Sequence, residues 1–234
     1  MENKNILHDN IGSIKLISQM GNEKTIVQAA RVSYNQTSKG KEKDDKLIQY
    51  LIRNKHTSPL EHVQFTFFIK CPIFVAREWM RHRTWSYNEI SRRYTSEDIQ
   101  FYIPKVWRLQ DTKNKQGSYS KWKNSDLLDN FKDSMDNSLQ VYHTLLKNNV
   151  ARELARSVLP VGMYTSFYAT VDLNNLMKFI LLRVADNAQL EIRLYAEELL
   201  IYIKENFPIV YEEFVQAFLG KKEYNWINKK LKGN

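Results

Sequence analysis

Apolar positions along this chain follow two periods, and the switches between them outline the elements. Ile26, Val27, Ala30 and Val32 recur at helical spacing within residues 22–34, with Asn22 placed as the cap. Leu47, Ile48, Leu51 and Ile52 predict a second helix over 44–53. Ser58-Pro59-Leu60-Glu61 has the form of a capping box with proline in its first turn, which predicts a short turn. The period then becomes two. Val63, Phe65, Phe67 and Ile69 alternate with Gln64, Thr66 and Lys70, as in a strand. Pro72 ends that strand and opens a helix carrying Ile73, Val75, Ala76, Trp79 and Met80, which exits at Arg81-His82-Arg83. A polar, irregular stretch follows, and then Ile99, Phe101 and Ile103 alternate as a strand stopped by Pro104.

Residues 105–124, rich in Lys, Asn, Gln and Ser, read as a long loop. Ser125 is placed to cap a long helix bearing Leu128, Phe131, Met135, Leu139, Tyr142 and Leu146, ended by Asn148-Asn149. A short helix is expected over 152–157 and a strand over 161–171. Asp172 then caps a helix to about residue 185, followed by helices up to Pro208 and from Pro208 to Leu219. Helices outnumber strands. The fold class is α+β, an antiparallel or mixed sheet packed by helices, in one domain over residues 1–234. So few strands leave sheet faces that association between subunits would cover.

Composition narrows the function. A chain of 234 residues with 43% hydrophobic content can bury a core unaided, and its lone Cys71 rules out an internal disulfide framework. No apolar run follows the N-terminal Met-Glu-Asn-Lys-Asn, and none approaches the roughly 20 residues of a bilayer span. A cytoplasmic protein without a membrane partner is expected. The net charge of +9 raises nucleic-acid binding as a reading. The lysines, however, crowd 39–46, 105–123 and 221–232, which read as solvated loops and tail. The aromatics among them (Trp107, Tyr119, Trp122, Tyr224 and Trp226) lack regular stacking spacing.

Arginine is distributed differently. Arg77, Arg81, Arg83, Arg92 and Arg93 fall in one window, 77–94, that holds no lysine. Guanidinium forks suit phosphate and carboxylate where an ammonium is only a point charge. Other chemistries find little support: there is no Gly-x-Gly-x-x-Gly run, no P-loop, no His-Glu-x-x-His and no Gly-x-Ser-x-Gly elbow. His56 and His62 are not at metal-ligand spacing, and His8 and His143 are isolated, so no metal is expected. The window Glu78 to Tyr94 instead offers two forks and an imidazole at a helix exit, followed by Ser, Asn, Glu and Arg, a set able to hold an anionic heterocyclic ligand. On composition alone it reads equally as a basic helix end satisfying its own carbonyls.

Arg81-His82-Arg83 followed by seven residues and Ser91 resembles the signature of flavin-dependent thymidylate synthases. Further blocks match in family order over residues 11–214: Ala30-Arg31-Val32-Ser33, His56-Thr57-Ser58-Pro59-Leu60-Glu61-His62, Pro72-Ile73-Phe74-Val75-Ala76-Arg77, Tyr102-Ile103-Pro104, Ala155-Arg156-Ser157-Val158-Leu159-Pro160 and Leu182-Arg183-Val184-Ala185-Asp186. The resemblance implies reductive methylation of dUMP to dTMP, with carbon from 5,10-methylenetetrahydrofolate and reducing equivalents from NADPH through FAD, in a homotetramer. It implies FAD contacts at Ser33, Ser58, Arg81, His82, Arg83, Asn88 and Glu89. It puts Glu78, Arg81, Glu89, Ser91, Arg92, Arg93, Arg156 and Arg183 around dUMP, with Arg183 in the catalytic, electrostatic role.

The chain departs from that pattern at Glu78, where the family often has Gln, and at Asp172-Leu173-Asn174 and Lys178. By position Asp172, Asn174 and Lys178 are further FAD contacts, and the departures predict that this end of the cofactor is held differently. A flavin-binding protein without methylation is the alternative reading. Cys71, at the end of an apolar strand with no nearby histidine, is expected to be an inert packing residue and not a nucleophile.

Overall fold

Strand alternation is strongest in β3 (Gln64–Pro72), and the chain is organised around it. In the computed structural model, which describes residues 4–122 and 126–220, β3 is the centre of a five-stranded sheet. Its neighbours are β2 (Ser13–Met20) on one side and β7 (Tyr164–Asp172) on the other; β1 (Lys4–Asn5) lies beyond β2 and β4 (Ser86–Glu89) beyond β7. Every pairing is antiparallel. The expected sheet is present, and it is antiparallel throughout.

Phe65, Phe67, Ile69 and Cys71 lie fully buried on one face, and their partners Val171, Ala169 and Phe167 in β7 share that face. Helices cover it. These are α1 (Glu23–Arg31), α2 (Lys41–Arg53), α3 (Ile73–Trp79), α6 (Leu173–Arg183), α7 (Leu190–Asn206) and α8 (Pro208–Phe218), while α4 (Asp126–Lys147) and α5 (Arg152–Ala155) pack against each other apart from that core. Phe65 meets Tyr202 of α7 and Phe207 edge-on, at ring separations of 6.0 and 5.5 Å. Arg53 of α2 and Glu213 of α8 join through two hydrogen bonds of 3.0 and 2.9 Å. The other sheet face stays open within the chain: Phe68 lies edge-on to Tyr168, which is 47% exposed.

Local chemistry accounts for most boundaries. Asn22 caps α1 in a reciprocal capping box with Thr25. Helix α2 starts at Lys41, earlier than expected, because Gly40 supplies the left-handed turn (φ 92°) that redirects the chain. Asp172 caps α6 by accepting from the Asn175 N–H. The proposed cap Ser125 lies outside the described residues.

Several expectations are corrected. Ser58–His62 is a 3-10 turn without a side-chain cap, since Thr57 occupies the N-cap and Pro59 and Leu60 are buried beneath it. Residues 99–103 do not form a strand; they contribute one bridge, Phe101 to Met163. Part of the loop at 105–124 is instead a separate hairpin, β5 (Trp107–Gln110) with β6 (Ser118–Trp122). Strands β2 and β4 were not expected. Only Ile14 of β2 is buried, and a bulge after Leu16 breaks the alternation, while β4 is a polar edge strand.

Phe65→Ala removes the ring on which Phe67, Tyr202 and Phe207 converge. Urea denaturation should show a loss of about 3–5 kcal/mol.

Candidate active site

Pro72 is both the last residue of β3 and the N-cap of α3, where a missing N–H costs nothing. One side of α3 buries Val75, Ala76 and Trp79. The Trp79 ring stacks on Phe179 of α6 at 4.7 Å and meets Phe167, Trp85 and Tyr195 edge-on. That aromatic cluster fixes where α3 ends. The Tyr87 hydroxyl, reaching from β4, lies 3.1 Å from the Trp79 carbonyl and 2.9 Å from that of His82, supplying a donor to the helix end. Burial pushes that phenol up, so it stays protonated and can donate.

The exit of α3 meets the last residue of α6. Arg183 donates from Nε to His82 Nε2 at 3.0 Å and from Nη2 to the Glu78 carbonyl at 2.8 Å, and its Nη1 pairs with the Glu78 carboxylate. Because His82 Nε2 accepts, this imidazole is neutral with its proton on Nδ1. Burial, and secondarily Arg183, lower its pKa to about 4. The ring also rests edge-on against Phe179 at 4.8 Å. Glu78, His82 and Arg183 are therefore one cluster, with Arg81 and Arg83 exposed beside it.

Other predicted residues gather nearby in sequence but do different things. Ser91 Oγ accepts from the Arg93 N–H at 3.3 Å. Arg93 Nη2 lies 3.7 Å from Glu153 Oε2, and Arg156 donates to the Glu153 carbonyl at 3.4 Å, so both forks converge on one residue. Glu89 accepts a 2.5 Å hydrogen bond from Thr165 on β7. Asn88 is exposed on β4 opposite Tyr168. Arg92 departs from expectation: it is 7% exposed and turned inward, donating to the carbonyls of Glu97 at 2.5 Å and Asp98 at 3.3 Å. In this arrangement it fastens the following loop and offers no open fork.

The positions that depart from the family pattern cluster elsewhere. Asn174 is buried and donates to Glu61 at 3.1 Å; Lys178 reaches Asn175 at 3.4 Å; Asp172 is occupied by its cap. Asn174, Lys178 and Met177 line an apolar cavity of about 300 Å³ with Thr57, Leu60 and Phe218, next to Ser58. Ser33 is exposed on the turn after α1, the helix packed against the 58–62 turn. Tyr87, Thr165 and Glu153 were missed because single tyrosines, threonines or glutamates in strands and helices carry no periodic or motif signal, and Glu61, though within a matching block, gave no sign that it would meet Asn174.

A shielded arginine held by a neutral imidazole, with anion forks facing outward beside it, is the equipment of a nucleotide-handling enzyme. The family described as thymidylate synthase complementing protein matches residues 15–209. The chain is 45% identical over 217 residues to a flavin-dependent thymidylate synthase of Thermus thermophilus, covering 91% of this chain and 80% of that one. It is 43% identical over 223 residues to one from Borreliella burgdorferi, covering 92% and 84%. Among solved structures it resembles the UMP/dUMP methylase PolB from Streptomyces cacaoi bound with 5-Br dUMP, at a TM-score of 0.79 and 33% identity, over 89% of this chain and 96% of that one. This chain belongs to the flavin-dependent thymidylate synthase family.

Two outcomes follow from the geometry. His82 should titrate near pH 4 by NMR, far below its ordinary 6.5. Between those values the unfolded chain binds a proton that the folded chain does not. Stability should therefore be complete above about pH 6.5 and fall as pH drops towards 4, less steeply in His82→Gln. Cys71 is fully buried, and burial raises its thiol well above the usual range, so Cys71→Ala should keep substantial dTMP formation in a product assay.

Proposed function

We propose that this chain converts dUMP to dTMP in the cytoplasm, with 5,10-methylenetetrahydrofolate as carbon donor and NADPH as reductant through FAD, as one catalytic domain over residues 1–234. The observation that carries the reading is the fixed position of Arg183 between His82 and Glu78. Three of its five N–H groups are used by the protein, which leaves one on each terminal nitrogen for a ligand. A uracil placed there meets a preorganised positive charge beside its carbonyl and ring nitrogen, where negative charge develops as C5 becomes nucleophilic. Arg93 and Arg156, each in contact with Glu153, are suited to the nucleotide phosphate, with Ser91 adding a hydroxyl.

The donor set also fits FAD. Exposed Arg81 and Arg83 suit its diphosphate, and neutral His82 avoids adding a further charge beside Arg183. The apolar cavity rimmed by Asn174 and Lys178 is of a size for a flat ring system. When bound, the flavin supplies the hydride chemistry. The chain's part is to bind, orient and charge-stabilise. The open sheet face carrying Phe68, Tyr168 and Asn88 supports assembly as a homotetramer, with neighbouring copies completing the cofactor and nucleotide sites.

The purified protein should show flavin absorbance and form dTMP from dUMP when given the folate and NADPH. Arg183→Ala should keep bound flavin and lose about a hundredfold or more in turnover. A preparation that takes up no flavin, or near-normal turnover in the variant, would overturn the reading.

A further inference from the structure

Glu78 touches Arg183 with two atoms that do different work. Its backbone carbonyl accepts from Nη2 at 2.8 Å, and with His82 Nε2 on Nε this already orients the guanidinium. The carboxylate on Nη1 adds little orientation, but it adds a full negative charge. The Arg183 side chain is 17% exposed and that of Glu78 40%, so water screens the pairing in part, from the carboxylate side, and leaves the guanidinium side shielded. No other acid among the described residues forms an ion pair with Arg183. Of the remaining titratable neighbours, His82 from the α3 exit and Tyr87 from β4, its hydroxyl on main-chain carbonyls, are uncharged at neutral pH, and Arg81 and Arg83 beside the cluster are exposed cations, so Glu78 is the acid paired with Arg183.

We propose that Glu78 is a countercharge that tempers Arg183, limiting how strongly the guanidinium stabilises negative charge on a pyrimidine ring held at its two remaining N–H groups. This rests on the function proposed above and deepens it. A carboxylate beside the developing anion opposes its formation, while Arg183 favours it, and the balance between them sets the acidity of the bound ring. Glu78 is thus a tuning residue acting through Arg183. It exchanges no proton or electron with the substrate.

The probe is 5-bromo-dUMP, whose bromine acidifies the ring N3–H enough for ultraviolet titration. It is bound to flavin-loaded wild type, Glu78→Gln, Glu78→Asp and Arg183→Ala. Glu78→Gln keeps an acceptor for Nη1 but removes the charge, and should lower the apparent pKa of the bound analogue by about one unit. Glu78→Asp retains the charge and should stay near wild type; Arg183→Ala should move the value upward. If Glu78→Gln does not fold, Glu78→Ser removes the same charge and should shift the analogue in the same direction. An unchanged or raised value in the charge-free variant would overturn the proposal, as would an equal shift in Glu78→Asp, which would make the effect geometric. If the wild type fails to bind the analogue, or Arg183→Ala leaves its titration unmoved, the assignment of uracil to Arg183 is itself wrong and the proposal falls with it. A shift confined to the Glu78 variants would not rescue it.

Discussion

The nine-residue register between β3 and β7 is the constraint on which the site depends. It sets Pro72 opposite Tyr164 at one end and Gln64 opposite Asp172 at the other, about 27 Å away at strand rise. Helix α3 leaves from the first end and α6 from the second, and both fold back over the same buried face. At 1.5 Å per residue their lengths sum to roughly 27 Å, so their C-terminal ends meet above the sheet. Stacking of Trp79 on Phe179 locks that meeting. Two helix ends, whose last carbonyls lack partners within their own helices and carry a partial negative charge, then share a place where cations are welcome. The crowding of Arg81, Arg83 and Arg183 follows from the pairing of two strands.

The arginines of the window divide by environment. Arg183 is held at a buried helix end and keeps part of its fork; Arg93 and Arg156 stay at the surface and are drawn to Glu153. Arg92 gives its donors to the backbone of the next loop. Residue type alone made all of them anion-binding candidates. Burial separates structural forks from available ones, because a guanidinium removed from water must be compensated with hydrogen bonds inside the protein.

Legibility in the sequence tracked how much of an element is buried. The core of β3, the α1 cap, the Asp172 cap and the proline-led starts of α3 and α8 could be read because alternation, helical spacing or a specific side chain marked each one. Strand β4 could not, since Ser86, Tyr87, Asn88 and Glu89 are a short, mostly polar edge segment without apolar alternation. Strand β2 hid behind its bulge and its single buried residue, Ile14. Of the site, Arg-His-Arg and Arg183 were legible through the motif blocks. Their joining at His82 Nε2 was not, because the two segments lie about a hundred residues apart and only the sheet register brings them together. The hairpin in place of a loop has a similar cause: it is held to the body by long-range contacts, Arg108 on buried Glu191 and Trp107 edge-on to Phe131 of α4.

The position of Cys71 has a practical consequence. The chain's only thiol is sealed in the sheet core between Ile69 and the α3 start, so the folded surface presents no native sulfur nucleophile. A cysteine introduced at an exposed site, such as Lys113 in the hairpin turn, becomes the one place a maleimide dye can attach. The natural sequence is thus already the background for single-position labelling, and distances from the hairpin to a bound fluorescent cofactor can be followed without first stripping the protein of its own cysteine.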